Sequence, residues 1–459
     1  MIDKKLETYS KTDNYPFHMP GHKRQAFEFE NPYKIDITEI TGFDNLHHPE
    51  EELKDLEEGW AKLYGAAEAF FMVNGSTGGI LTAIFSAIGA EDELLLARNC
   101  HGSAYHGAYL KDTKVHFIYP EFIETKGGTI SGGISPKKLE DILKANGKIK
   151  AFLLTSPTYE GIISNVSKLA EVAHRFGVIL IVDGAHGAHL GICNSKYENP
   201  IQQGADLVIL SLHKTLPAFT STALLLKSKG CKINNETIRF YLDCFETSSP
   251  SYILMASGAK CLRYLEEEGK KAFLNYEKRL EDFYRDCKDL TFLKLLDRKD
   301  KDAGKIVISG EGYVSGQEIF SKLRDEFHLE LEMAAGGYCI AMTSIMDQKE
   351  GFHRLKEALF SIEQEIKENQ RISLEAFTYP KTVSVLSMKE AIEGQKVRRP
   401  LESALNCISA GFVDFYPPGI PILAPGELIT EEIIKTIKAG MKGNLNVEGC
   451  SDKGILIVE

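Results

Sequence analysis

Between residues 61 and 290 short aliphatic runs alternate with amphipathic segments, and this alternation limits the possible folds more than any other feature of the chain. The unit is clearest from 150 to 186, where KAFLLTSP reads as a strand, VSKLAEVAHRFG as a helix closed by Gly177, and VILIVDGAH as the next strand. Strands that are aliphatic throughout are buried on both faces, and strands joined through helices run parallel. The pattern therefore predicts an open α/β sheet with a mostly parallel strand order, extended by GADLVILSLHK and TALLLK. Ligands of such sheets sit beyond the carboxyl ends of the strands. Polar residues that terminate the aliphatic runs are the candidates for chemistry.

The flanking regions differ in texture. Residues 1–60 mix Pro, Gly, His and aromatics without a regular period and read as an N-terminal arm. The charged, turn-like RKDKDAG at 298–304 marks a boundary between a large domain, 61–300, and a smaller α+β C-terminal domain, 301–459. The latter holds the stiff, proline-rich YPPGIPILAPGE.

A net charge of −11 with scattered basic residues argues against a nucleic-acid partner. Nine well-spaced cysteines form no CxxC pair and suit reduced thiols in the cytoplasm. The N-terminus has no signal-type apolar region, and no run approaches the ~20 apolar residues of a membrane helix.

Three strand ends carry the chemical argument. In FFMVNGSTGGILTAIFSAIGA an apolar strand passes through Asn-Gly-Ser-Thr-Gly-Gly into a helix, bringing free backbone N–H groups, the hydroxyls of Ser76 and Thr77 and the helix dipole to one point. This suits a phosphate, although it is neither a Walker loop nor GxGxxG. In IVDGAHGAHLG the carboxylate of Asp183 leaves an aliphatic wall and requires a cationic partner. In SLHKTL, Lys214 follows the aliphatic ADLVIL; a lysine amine beside apolar surface sheds its proton readily and becomes a nucleophile. Each has an ordinary structural counterpart: a Ser or Thr N-cap, a turn-capping aspartate, a snorkelling lysine. Together they are the three anchors of pyridoxal phosphate: an amine for the aldehyde, an acid for the pyridinium nitrogen and a helix N-terminus for the phosphate. At RNCHGS, His101 sits between Cys100 and Gly102, neighbours small enough to let an imidazole lie flat on a ring, though a surface loop histidine reads equally well. Asp183, His186 and His189 lie close enough to suggest a metal trio, but no fourth ligand is apparent and the Gly-Ala filling favours close packing.

In this order FHMPGHK, DITEITGFDNLHHPE, NGSTGG, RNCHGS, SPTYEG, DGAHGAH, SLHKTL and PPGIPILAPGE, spanning residues 17–427, resemble the ornithine/lysine/arginine decarboxylases, fold-type-I pyridoxal-phosphate enzymes, in their short bacterial form without a wing domain. The resemblance implies a large domain of the pyridoxal-phosphate-transferase type, a small C-terminal domain, and a homodimer with active sites at the subunit interface. It implies that Lys214 holds the cofactor covalently, Asp183 pairs with its ring nitrogen, His101 stacks on the ring, Ala185 packs on the other face, and Ser76, Thr77, Ser211 and His213 hold the phosphate. Gly102 and Gly184 stand where relatives often carry a lysine and an acidic residue.

The activity implied is α-decarboxylation of a basic amino acid, arginine by the habit of short relatives, otherwise lysine or ornithine. His213 and Lys214 are both placed to return the proton to Cα. Glu39, Asp44, Glu160 and Glu427, at motif ends, are the candidates for an acidic wall around a cationic substrate tail. An aminotransferase or carbon–sulfur lyase would instead need a C-terminal arginine for the α-carboxylate, for which Arg398 and Arg399 are available, and a non-catalytic paralogue acting as a binding regulator would dispense with Lys214 chemistry.

Overall fold

The structure, a computed structural model, describes residues 1–25, 27–366, 371–372, 379–416, 419–442, 446–451 and 454–459. Pro417 and Pro418 of the proline-rich loop lie outside the described residues.

Seven strands form the central sheet: β1 (Glu68–Met72), β2 (Glu93–Ala97), β3 (Val115–Ile118), β4 (Ile149–Thr155), β5 (Ile179–Asp183), β6 (Leu207–Ser211) and β7 (Ala223–Lys227). Their spatial order is β1-β7-β6-β5-β4-β2-β3. Strands β2 to β6 pair in parallel, as the aliphatic runs predict. Strand β7 runs antiparallel to both neighbours. Burial explains the composition: Leu94–Leu96, Leu180–Val182 and Leu207–Leu210 have no exposed surface.

Register brings the strand ends to one level. Asp183 lies opposite Thr155 and Ile209, while Ala223 lies opposite both Ser211 and Met72. The ends of β1, β5 and β6 therefore share a single rim. Helices α1 (Gly75–Ala87) and α2 (Gly102–Lys111) start at that rim after β1 and β2.

The first sixty residues are more regular than their composition suggests. A helix covers Ile2–Ser10, Tyr15–Phe17 pairs in parallel with Leu329–Leu331, and a helix spans Glu52–Tyr64. Leu53, Leu56, Trp60 and Tyr64 recur at helical spacing and are buried, a period hidden by the flanking charges and by a segment border drawn through its middle.

Beyond the 35-residue helix Tyr252–Asp286, an antiparallel sheet orders Lys294–Leu295, Lys305–Ser309, Tyr338–Met342 and Met333–Ala335, covered by helices Gly316–Asp325 and Lys349–Glu365. From residue 396 two three-stranded sheets and helix Glu431–Lys442 enclose their own core of Leu401, Val413, Leu423, Ile433, Ile437 and Ile457. Within the charged segment 298–304, Lys301 and Asp302 are buried, as is Lys305 after it. Among the described residues no helix is long and apolar enough to cross a membrane.

Candidate active site

Only Val73 and Asn74 separate β1 from α1. Gly75 takes φ +72°, and its N–H donates to the Ser221 carbonyl at 2.8 Å, so the turn uses the left-handed backbone that glycine adopts without steric cost. No side chain caps α1, and beyond Gly75 the N–H groups of its first turn have no acceptor within the helix. Ser211, brought alongside by register, donates its hydroxyl to Ser76 Oγ at 2.9 Å. Thr77, one residue on, is exposed. These groups are hydrogen-bond donors of the kind that can hold an anion.

Asp183 is buried at the tip of β5, and its Oδ1 accepts the Ala185 N–H at 3.1 Å. Its charge acts on His101 and on Lys214. His101 caps α2: its Nδ1 accepts the Ser103 N–H at 3.1 Å and lies 2.9 Å from Ser103 Oγ. The residue is exposed at the rim, yet surrounding protein and, secondarily, Lys214 hold its pKa below the ordinary value against the opposing pull of Asp183. His213 Nδ1 lies 3.1 Å from the Thr222 carbonyl, which can only accept, so the ring proton is on Nδ1. Burial lowers the pKa of His213 to about 4.

Lys214 is half-buried, with Nζ 3.0 Å from His186 Nε2. The other ring nitrogen of His186 lies 2.6 Å from Nζ of Lys305, which is buried and also touches Met342 Sδ at 3.2 Å. Desolvation lowers the pKa of Lys214, opposed by Asp183 and Glu332, and lowers that of Lys305 to about 7. The Tyr159 ring meets His186 edge-on at 4.9 Å, and its hydroxyl donates to Glu332 Oε1 at 2.5 Å. The Met19 N–H donates to the second Glu332 oxygen at 3.0 Å.

The N-terminal arm braces this site. The Gly21 N–H donates to the His213 carbonyl at 2.7 Å, and a Cβ at position 21 would lie 2.7 Å from the backbone of Thr215 and Leu216. Glycine is required there by close approach.

Of the four carboxylates expected to line a substrate tail, two are engaged elsewhere. Asp44 accepts the N–H groups of Asn45, Glu50, Glu51 and Leu53, which organises its own loop. Glu427 is buried against Arg98 at 3.0 Å. Glu39 is exposed on the arm, and Glu160 is held by the Tyr338 hydroxyl at 3.0 Å. Arg398 and Arg399 lie on an exposed strand of the C-terminal unit, bonded to the Gly454 carbonyl and Cys407 Sγ. His189 pairs with Asp302 at 3.2 Å rather than with His186. Among the described residues no group of three or more His, Cys, Asp or Glu side chains is arranged for a metal ion.

Sequence reasoning passed over Lys305 and Glu332. Lys305 opens an aliphatic strand, KIVIS, as Lys214 follows one, and a lysine abutting a fully buried strand was the available signal. Glu332 stands between two short strands with no local mark.

A desolvated amine, a buried carboxylate and an uncapped helix N-terminus on one rim fit pyridoxal phosphate, and fold and site together define an enzyme dependent on that cofactor. The chain belongs to the Orn/Lys/Arg decarboxylases: the model of that family's major domain matches residues 2–306. It is 29% identical to an arginine decarboxylase of Bacillus anthracis over 97% of this chain and 94% of that protein. To a lysine decarboxylase of Pseudomonas aeruginosa it is 26% identical over 55% of this chain and 38% of the other. The solved lysine decarboxylase of Francisella novicida shares the fold, with a TM-score of 0.77, 20% identity and coverage of 99% of this chain and 80% of that one.

Proposed function

We propose that this chain decarboxylates arginine to agmatine, with Lys214 as the covalent anchor of the cofactor. The observation that carries the reading is the meeting of the Lys214 amine with the field of Asp183 at a rim that also bears an uncapped helix N-terminus. Arginine is favoured over lysine or ornithine because the likeness to the arginine decarboxylase runs the length of both chains, whereas that to the lysine decarboxylase covers about half of this one.

When bound, the cofactor supplies an electron sink for the pair left behind as the Cα–carboxylate bond breaks and carbon dioxide leaves. Asp183 would hold a proton on the ring nitrogen. His101 and Ala185 would hold the ring between them. The first turn of α1, with Ser76, Thr77 and Ser211, would seat the phosphate; His213, expected to join them, spends its one ring proton on the Thr222 carbonyl and offers the site only a lone pair. His213 is a poor source of the proton that returns to Cα: it is neutral near pH 7, and its one ring proton is directed at Thr222. Lys214 is therefore the donor.

The active unit is a homodimer in the cytoplasm. The arm exposes Tyr33, Ile40 and Phe43, and Phe219 lies exposed five residues beyond Lys214, apolar surface of the kind a second subunit covers. All nine cysteines are free, as reducing surroundings require. Incubating the purified chain and cofactor separately with arginine, lysine and ornithine, and identifying the amine by mass, tests the assignment. Agmatine should form fastest; cadaverine or putrescine as the dominant product would reject arginine, and a keto acid without carbon dioxide would reject decarboxylation.

A further inference from the structure

We propose that His186 and Lys305 form a proton relay to Lys214, with Lys305 as the resting place of the proton that Lys214 sheds when its amine becomes nucleophilic. The inference rests on the reading of Lys214 as the cofactor's anchor, but its geometry is independent of any ligand.

The imidazole of His186 lies between two amines, 3.0 Å from Lys214 at Nε2 and 2.6 Å from Lys305 at Nδ1. A neutral imidazole offers one N–H and one lone pair. One lysine must donate to the lone pair, and the other must accept the ring N–H. Two ammonium groups cannot both be satisfied, and desolvation with the charges of both lysines holds the ring's own pKa far down. The trio therefore has two self-consistent states. In the first, ammonium Lys214 donates to Nε2 while Nδ1–H donates to amine Lys305. In the second, Lys214 has passed one proton to Nε2, Nδ1 has passed one to Lys305, and Lys214 is a neutral amine accepting Nε2–H. One proton enters the ring as one leaves, so charge is conserved.

The surroundings support a cation at either end. Asp183 and Glu332 face Lys214, with His101 and His213 also acting on the site. Asp302 and Glu332 face Lys305, Lys214 and then Lys23 oppose its charge, and the Tyr159 ring lies 5.6 Å from its Nζ. Desolvation brings Lys305 to about 7, which places proton exchange within the neutral range. Lys305 comes from the strand Lys305–Ser309 of the second sheet, so the relay also joins that sheet to the rim.

The test is the pH dependence of acetylation of Lys214 by trace acetic anhydride in the full-length, cofactor-free chain, read by mass. Lys305→Met removes the proton acceptor and should raise the midpoint for Lys214 by about one pH unit, lowering its reactivity near pH 7 about tenfold. Lys305→Arg keeps the charge but cannot release a proton; it pins the ring proton on Nε2, so the midpoint should stay at or below that of the unmodified chain. With His186→Phe in place, Lys305→Met should have little further effect. An unchanged midpoint in Lys305→Met, or an equal shift with and without His186, would overturn the relay. If Lys305→Met does not fold, Lys305→Leu, equally without donor or base, carries the same expectation. Borohydride fixation of the cofactor on Lys214 is scored separately, so a failed relay is distinguishable from a failed anchor.

Discussion

Arg98 Nη2 and Glu427 Oε2 meet 3.0 Å apart with essentially no exposed surface on either side chain, although 329 residues separate them. Arg98 directly follows the strand Glu93–Ala97 and also donates to the Ile422 carbonyl at 3.0 Å, while Glu427 accepts the Ala424 N–H at 2.7 Å. The pair fastens the C-terminal unit to the central sheet. Replacing one member strands the other charge without water. Glu427→Ala should lower stability by about 3–5 kcal/mol, read as a fall in the urea midpoint, whereas a solvated substrate-binding carboxylate would leave the midpoint in place.

Acid should weaken the protein through Asp302. Burial alone would raise its pKa, but His189, Lys305 and Lys301 bring it to about 2. A carboxylate depressed below its unfolded value contributes stability that is fully present above about pH 4 and is lost as pH falls toward 2. The contribution is about 2 kcal/mol. Asp302→Asn should flatten the stability profile between pH 4 and 2, measured by denaturant titration at each pH.

The hydroxyl of Ser211 positions that of Ser76 at the mouth of α1. Ser211→Ala should weaken cofactor binding about fivefold to tenfold, the equivalent of about one hydrogen bond, in a fluorescence titration with pyridoxal phosphate. Stability without cofactor should change little.

Gly21 has no room for a methyl group against Thr215 and Leu216. Gly21→Ala should displace the segment carrying Lys214. The expected readout is reduced cofactor occupancy, by absorbance after dialysis, from a substitution far from Lys214 in sequence. Normal occupancy would mean that the arm does not position the site.

Much of the rim was legible because each of its polar residues ends an aliphatic run, and such runs are recognisable when both faces of a strand are buried. Asp183, Ser211 and Lys214 stand out in this way. What local pattern could not supply was tertiary engagement. Asp44 and Glu427 look like free carboxylates until four backbone N–H groups and Arg98 are seen to occupy them. Lys305, from a strand of a second sheet, and Glu332, from a bend between two short strands, act on Lys214 from about a hundred residues downstream, and no spacing rule links the segments. The helix Glu52–Tyr64 was obscured because acidic and basic residues stand among its buried apolar positions, Leu53, Leu56, Trp60 and Tyr64.

The central claim is that one amine, that of Lys214, forms the covalent link to the cofactor. Borohydride reduction of the chain with pyridoxal phosphate, followed by peptide mass analysis, tests it directly. The account predicts a single adduct on the peptide containing Lys214, and none after Lys214→Ala. An adduct on another lysine, or an undiminished one in Lys214→Ala, would contradict it.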